Sequence, residues 1–515
     1  MYATFVAKPS LSFAGLFPRG GGLSIFGGRA GICWWGRVVD FDGFYCYSHV
    51  WKYEVCGCLW EGTVGQGSCP AEVVMKDVER FWNLLMETMP REQLEKLQLR
   101  RFRETMRWAI DSSPFYRRRY EEAGVAPEDI GSLEDVSRVP MISKDDMRMA
   151  QEEGVHHLYG GLLGVPSSEV TTFHQTAGTT GRPLYVPDTF ASWQDLVEVW
   201  CYVLYSMGFR NTDRVYIPFN YGVYIAFWLG HYAAEKIGCE VVPGGGADTR
   251  ARISKMIEVR ATAVMNTPTY GLHMAEAARE MGIDLARDLH VEKMLCAGEP
   301  MPEPTRLELE RQWGADVLDH VGAAEVGGWG YMCTEKRGLH VLESCYLLEV
   351  VDLETLSRPV SPGGRGVAVV TALGRRSFPC IRYNLKDVVT LSDRECNCGR
   401  TFKLVESISG RTDHLTKIRG VLFSPVSVEE VVRDKFPQVA EFETVVSRPR
   451  IQDELVVRVE LHETPGPQEL RDFQARLGME LKLKTNLNFE VELVPPQTLP
   501  RYELKSARFK DTRTG

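Results

Sequence analysis

The sequence predicts an α/β protein: a large domain of mixed sheets and helices, followed by a small α+β domain. Three observations carry this. From Thr171 to about Asp319, short β-like runs alternate with amphipathic helices, the pattern of a largely parallel sheet with crossover helices. From Leu347 to Leu391 the runs shorten and turns multiply, as in "YLLEVVDLETLSRPVSPGGRGVAVVTAL", which reads as antiparallel. The last hundred residues mix strands with helices.

The elements follow in chain order. Residues 1–74 hold five of the thirteen cysteines (Cys33, Cys46, Cys56, Cys58, Cys69) and show no sustained period. Cys46, His49, Cys56 and Cys58 are metal-ligating types. Their spacing lacks paired knuckles, and the segment reads as an extension without a fold of its own. Met75 is a sensible start. From Asp77 to about Tyr120 the pattern is helical, with Leu94, Leu97, Phe102 and Met106 near helical spacing, and Pro114 breaks it. "DRVYIPF" and "TAVMNTP" read as strands, "ISKMIEV" and "YGLHMAEAAREMG" as helices. Near the C-terminus "DELVVRVEL" and "NFEVELV" read as strands, "SVEEVVRDKF" and "PQELRDFQARLGMEL" as helices.

Composition narrows the function. A chain of 515 residues, 44% hydrophobic, supports a large core and two or three domains. A formal net charge of -9 argues against a general nucleic-acid binder. No apolar run reaches the roughly 20 residues that span a bilayer, so the expectation is a soluble cytoplasmic protein with no membrane partner. The sequence leaves a homodimer open.

"TAGTTGRP" (Thr176–Pro183) departs from the Walker A pattern, since two residues separate Gly178 from Gly181 and Arg182-Pro183 follows. The hydroxyls of Thr176, Thr179 and Thr180, with exposed backbone N–H groups, are suited to a polyphosphate. A mobile hairpin is the plainer reading. Downstream come "CAGEPM" (Cys296–Met301), "LDHVGAAEVGG" (Leu318–Gly328), "IRYNLKDVV" (Ile381–Val389), "GRTDHLTKIRG" (Gly410–Gly420) and "LPRYELKSARFKD" (Leu499–Asp511).

This ordered series resembles the adenylate-forming superfamily of acyl-CoA synthetases from Asp77 to Asp511. It is closer to the phenylacetate–CoA ligase family, on "SPFYRRRYEEAGV" and "GRTDHLTKIRGVLFSP". The resemblance implies ATP-dependent activation of a carboxylic acid, phenylacetate or a related aromatic acid, to an acyl-adenylate, then transfer to the thiol of coenzyme A. It implies that the loop with Thr176, Gly178, Thr179, Thr180 and Gly181 holds phosphates, and that Glu325 helps hold Mg2+. Gly298 and Glu299 would line the adenine pocket, Asp387 would bind the ribose, and Arg411 would support the nucleotide. Lys505 would bridge carboxylate and α-phosphate as charge builds. Asp413 would be the hinge of a mobile small domain, which divides the chain into an extension (1–74), an AMP-binding domain (75–412) and a C-terminal domain (413–515).

Cys333, His340, Cys396 and Cys398 form a Cys-x6-His pair and a distant Cys-x-Cys, a donor set for a closed zinc site that staples the antiparallel segment to the main sheet. Reduced surface cysteines are the alternative. Tyr221, Tyr224 and Tyr270 are candidates for an aromatic-acid pocket, with plain core packing as the rival.

Three departures from the family pattern stand out. Val321-Gly322-Ala323-Ala324-Glu325 replaces Tyr-Gly-Leu-Ser/Thr-Glu, Leu385-Lys386-Asp387 replaces Thr-Gly-Asp, and the phosphate loop reads Thr-Ala-Gly with Arg182 for Lys. They weaken nucleotide binding more than they change the reaction type. An enzyme loading a carrier-protein thiol and a non-catalytic ligand-binding protein of this fold are the alternatives.

Overall fold

The computed structural model describes residues 79–153, 158–176, 182–413, 415–419, 421–449, 452–463, 465–503 and 506–513. The readings made for residues 1–74, Gly178, Thr179, Thr180, Gly181 and Lys505 lie outside these.

Three helices open the described chain: Leu84–Glu87 (α1), Arg91–Ser112 (α2) and Pro114–Ala123 (α3). Leu94, Phe102 and Met106 form the buried stripe of α2, as their spacing predicts. Pro114 breaks the pattern as expected, since α2 ends at Ser112 and Ser113 is extended. It is the first residue of α3, where its missing N–H is needed by nothing and its fixed φ suits a helix start. Lys144–Glu152 (α4) begins at Ser143, whose hydroxyl and Asp146 cap each other's backbone N–H.

Val170–Gln175 (β1) and Tyr185–Thr189 (β2) pair antiparallel on either side of the Thr-Gly stretch. Phe190–Ser206 (α5) follows, with eleven of its seventeen residues buried.

One sheet of eleven strands organises the large domain. Arg214–Ile217 (β3), Glu240–Pro243 (β4), Ala263–Asn266 (β5), Lys293–Ala297 (β6) and Asp316–Ala323 (β7) form its parallel half. Ile225–Ile237 (α6), Thr249–Glu258 (α7), Pro268–Glu280 (α8), Leu285–Asp288 (α9) and Glu303–Trp313 (α10) lie in the crossovers. Every residue of β5 is buried, which is why these runs read as continuous apolar segments.

Gly327–Met332 (β8) pairs antiparallel with β7, and Leu339–Val341 (β9) with β8. Tyr346–Val351 (β10), Arg365–Ala372 (β11), Tyr383–Leu391 (β12) and Leu404–Arg411 (β13) complete the order β10-β11-β12-β13-β9-β8-β7-β6-β5-β3-β4. The antiparallel segment is thus continuous with the parallel half through the β13–β9 pairing.

The C-terminal residues gather their own core around Ile418, Phe423, Val428, Val432, Phe442, Leu477 and Leu481. Thr416–Ile418 (β14) and Val421–Phe423 (β15) make a hairpin, and Val426–Lys435 (α11) follows. Val439–Ser447 (β16), Glu454–Leu461 (β17), Pro467–Thr485 (α12), Glu490–Leu493 (β18) and Phe509–Asp511 (β19) build a sheet ordered β18-β17-β16-β19. Among the described residues, no helix is long and apolar enough to cross a membrane.

Candidate active site

The site is assembled where the parallel strands end and the antiparallel half begins. Thr176 follows β1, and its hydroxyl accepts a hydrogen bond from Leu184 N at 3.1 Å while its own N–H donates to Leu184 O at 3.1 Å. Thr176 and Leu184 therefore extend the pairing of β1 and β2 by one step.

Glu325 sits in the tight turn between β7 and β8 and is 3% exposed. A carboxylate so buried requires a cation. Lys144, first residue of α4, supplies it, with Nζ 3.2 Å from Oε1. Tyr383 on β12 also hydrogen-bonds Glu325; burial first, and then this carboxylate, push the phenol well above its ordinary range.

The turn's backbone is held from behind. Arg375 Nη1 donates to the carbonyls of Ala324 at 3.1 Å and Glu325 at 2.8 Å. Its other nitrogens hold Asp188 of β2 at 3.2 and 2.6 Å, and Ser377 Oγ donates to the same carboxylate at 2.9 Å. Asp188 is fully buried, so deleting either partner leaves an unpaired charge at a cost of about 3–5 kcal/mol. Strand β2 and the Glu325 turn are joined through this pair. Sequence reasoning missed Lys144, Asp188 and Arg375. The only signal was that Lys144 follows a capping Ser in "SKDD".

Asp387 and Arg411 stand opposite each other on β12 and β13. Arg411 Nη1 lies 3.3 Å from Asp387, and its Nε and Nη2 hold Asp413 at 2.9 and 3.0 Å. The nucleotide and hinge candidates are therefore one charged cluster. Lys386 beside them has φ +64, the left-handed conformation that favours glycine. Asn384 Oδ1 accepts from its N–H at 2.8 Å, and its carbonyl accepts from Thr412 N at 2.7 Å.

Gly298, at the end of β6, has φ +94, a turn that needs glycine. It leads into Glu299, whose two carboxylate oxygens do different work. Oε1 accepts from Thr269 N in the first turn of α8 at 2.7 Å, and Oε2 accepts from Ser506 N at 2.9 Å. Glu299 thus joins the large domain to the segment that carries Lys505.

Of the aromatic candidates, Tyr221 and Tyr224 lie in the β3–α6 connection. Tyr221 Oη is 3.0 Å from His231 Nδ1, and Tyr224 is 38% exposed. Tyr270 is fully buried, with its hydroxyl 3.1 Å from Thr249 Oγ1 and 2.5 Å from Arg252 Nη1. Phe219 and Phe227 link Tyr221 to Tyr270, without Tyr224: Phe219 stacks on Phe227 at 4.3 Å and tilts against Tyr270 at 5.2 Å, and Tyr221 lies 6.4 Å from Phe227.

The structure brings Cys333, His340, Cys396 and Cys398 together, with all donor atoms within 4.8 Å of one another. Cys333 Sγ is 3.6 Å from Cys396 Sγ, and Cys398 Sγ is 3.3 Å from His340 Nε2. Tetrahedral zinc with bonds of about 2.3 Å places its sulfurs about 3.8 Å apart, so the set fits that ion. It closes the β12–β13 loop onto β8 and β9.

The fold and site define an AMP-binding enzyme. The family model described as AMP-binding enzyme matches residues 118–370, and the AMP-binding enzyme C-terminal domain model matches 420–513. Over 436 residues the chain is 32% identical to a phenylacetate-coenzyme A ligase of Thermus thermophilus, covering 81% of this chain and 96% of that one. A phenylacetate-coenzyme A ligase of Pseudomonas putida is 31% identical over 442 residues, covering 83% and 96%. The chain belongs to the phenylacetate–CoA ligase family, and its class is AMP-forming acid–CoA ligase. A solved 2-hydroxyisobutyryl-CoA ligase in the postadenylation state with 2-HIB-AMP matches at TM-score 0.80 and 30% identity, covering 84% and 93%. The same ligase with CoA in the thioesterification state matches at 0.63, with the same identity and coverage.

Proposed function

We propose that the protein activates an aromatic or arylalkanoic acid, phenylacetate being the first candidate, and transfers it to coenzyme A. The observation that carries this is the Asp387–Arg411 pair across β12 and β13, supported by the buried Glu325–Lys144 pair and the Glu299–Ser506 contact.

In the first half-reaction a carboxylate oxygen attacks the α-phosphorus of ATP and pyrophosphate leaves. Anions converge, so the barrier falls when fixed cations and N–H donors meet the growing charge. The proposed roles follow the chain's own groups. The hairpin loop after Thr176 holds the terminal phosphates, with Gly178, Thr179, Thr180 and Gly181 as donors. Asp387 accepts from the ribose hydroxyls and Arg411 supports it. Gly298 turns the chain so that Glu299 meets the Lys505 segment, and Lys505 neutralises the reacting oxygens. Glu325 would offer a carboxylate oxygen to Mg2+, which when bound would neutralise phosphate charge. In the second half-reaction the thiol sulfur attacks the acyl carbonyl, AMP leaves and the thiol proton is lost. Asp413 is the pivot proposed for the small domain.

The cluster of Phe219, Tyr221, Phe227 and Tyr270 favours a flat apolar acid. The Cys333–His340–Cys396–Cys398 site is structural zinc. A second reading, ligand binding without turnover, draws on Val321 and Ala324, which lack the ring and hydroxyl of the family pattern. Thioester formation from phenylacetate, 2-hydroxyisobutyrate and benzoate with ATP, Mg2+ and CoA tests the proposal. Preference for phenylacetate supports it, and preference for 2-hydroxyisobutyrate refutes the aromatic pocket. Transfer to a purified carrier protein but not to CoA would replace the acceptor.

A further inference from the structure

Arg501 belongs to the small domain, four positions before Lys505. Its guanidinium makes a two-bond fork with Glu276 on α8 of the large domain, Nε to Oε2 at 2.8 Å and Nη2 to Oε1 at 2.8 Å. Within its own domain the same Nη2 lies 2.9 Å from Glu460 Oε2. Glu460 is fully buried and also accepts from the backbone N–H groups of Gln497 and Leu499. Arg501 is therefore fixed to the small domain on one side and to the large domain on the other. A parallel fork constrains orientation as well as distance. Ser506 N is likewise held by Glu299 at 2.9 Å, so Arg501 and Ser506 both contact the large domain.

We infer that Arg501, through Glu276, is a positioning residue for adenylation: it holds the Lys505 segment on the large domain, and the rotation that admits CoA breaks this fork. The inference rests on the ligase reading above. A fork that stabilises only one of two arrangements shifts their populations toward it. Breaking it slows the half-reaction needing Lys505 and leaves the other intact.

The test uses the full chain with Glu276→Gln, which keeps the side-chain shape and leaves the Arg501–Glu460 contact in place. Two rates are measured separately: phenylacetate-dependent ATP–pyrophosphate exchange, and CoA thioester formation from supplied phenylacetyl-adenylate. The expected result is exchange slowed about tenfold or more, with KM for ATP little changed and thioester formation equal or faster. Retention of the second rate also shows that the variant folds. Equal loss of both rates, or no loss of either, overturns the inference. If wild type shows no exchange, the ligase reading fails on its own. Small-angle scattering then judges Arg501: a more extended Glu276→Gln supports the fork, and identical curves overturn it.

Discussion

Lys144 Nζ lies 3.2 Å from the buried carboxylate of Glu325, across the gap between α4 and the β7–β8 turn. The lysine side chain is 26% exposed and the glutamate's 4%. Removing the cation leaves a buried anion, but partial exposure of Lys144 reduces the cost from the full buried-pair value to about 2 kcal/mol. Lys144→Met is expected to lower the melting temperature of the ligand-free protein by a few degrees. Mg2+ with a non-hydrolysable ATP analogue is expected to narrow the difference, because Glu325 is the proposed oxygen ligand for that metal. Thermal melts of both proteins with and without the ligands check this; equal melting temperatures throughout would sink it.

Lys386 carries a left-handed backbone at φ +64 one residue before Asp387. An L side chain there costs about 1–2 kcal/mol relative to glycine, partly offset by the greater freedom of glycine in the unfolded chain. Lys386→Gly is expected to stabilise the protein by about 0.5 kcal/mol. Lys386→Val, branched at Cβ, is expected to destabilise it by about 1 kcal/mol or more. Urea unfolding midpoints for the three proteins decide the order.

The four-donor cluster gives a metal prediction. Purified protein is expected to hold about one zinc per chain, by elemental analysis, and Cys398→Ser to lose it. Chelation is expected to lower the melting temperature while initial rates at low temperature persist, because the cluster braces the β12–β13 loop. Full zinc retention in Cys398→Ser would contradict the assignment.

Burial pushes the Asp319 carboxyl up to about 7, with its hydrogen bond from the His320 backbone pulling the other way. In the unfolded chain the group titrates near its usual ~3.9. Between these values the folded state binds the extra proton, so this residue's contribution to stability declines as pH rises from about 4 to 7. Asp319→Asn removes the dependence. The variant is expected to match wild type near pH 4 and to exceed it by about 2 kcal/mol at pH 8. Denaturation at both pH values checks the sign; a variant less stable at pH 8 refutes it.

Much of this fold was legible in the sequence. The crossover half was readable because β3, β5 and β6 are apolar runs and α7 and α8 carry a helical stripe. The break at Pro114 was legible, since α2 ends at Ser112; that the same proline starts α3 was not, because proline both stops a helix and starts one. The continuity of the sheet was not legible: it depends on Leu404 and Val405 pairing with His340 and Leu339, and no local period encodes such a partner. At the site, Cys396 and Cys398 were recognisable by donor type, and pairing across β8, β9 and β13 explains why they meet Cys333. Asp188 and Arg375 were invisible because a buried ion pair spanning 187 positions leaves no spacing to read. Glu299 was placed by motif; that it grips Ser506 emerges only when the small domain is seated.

The central claim is that this chain adenylates a carboxylic acid using Lys505. Pyrophosphate release, with ATP, Mg2+ and a panel of carboxylic acids, tests it most directly on a chain beginning at Met75, beside Lys505→Ala. Acid-dependent release is expected, falling at least about 100-fold in Lys505→Ala, the loss typical of a removed charge stabiliser. No release with any acid, from folded protein that still binds ATP, would contradict it.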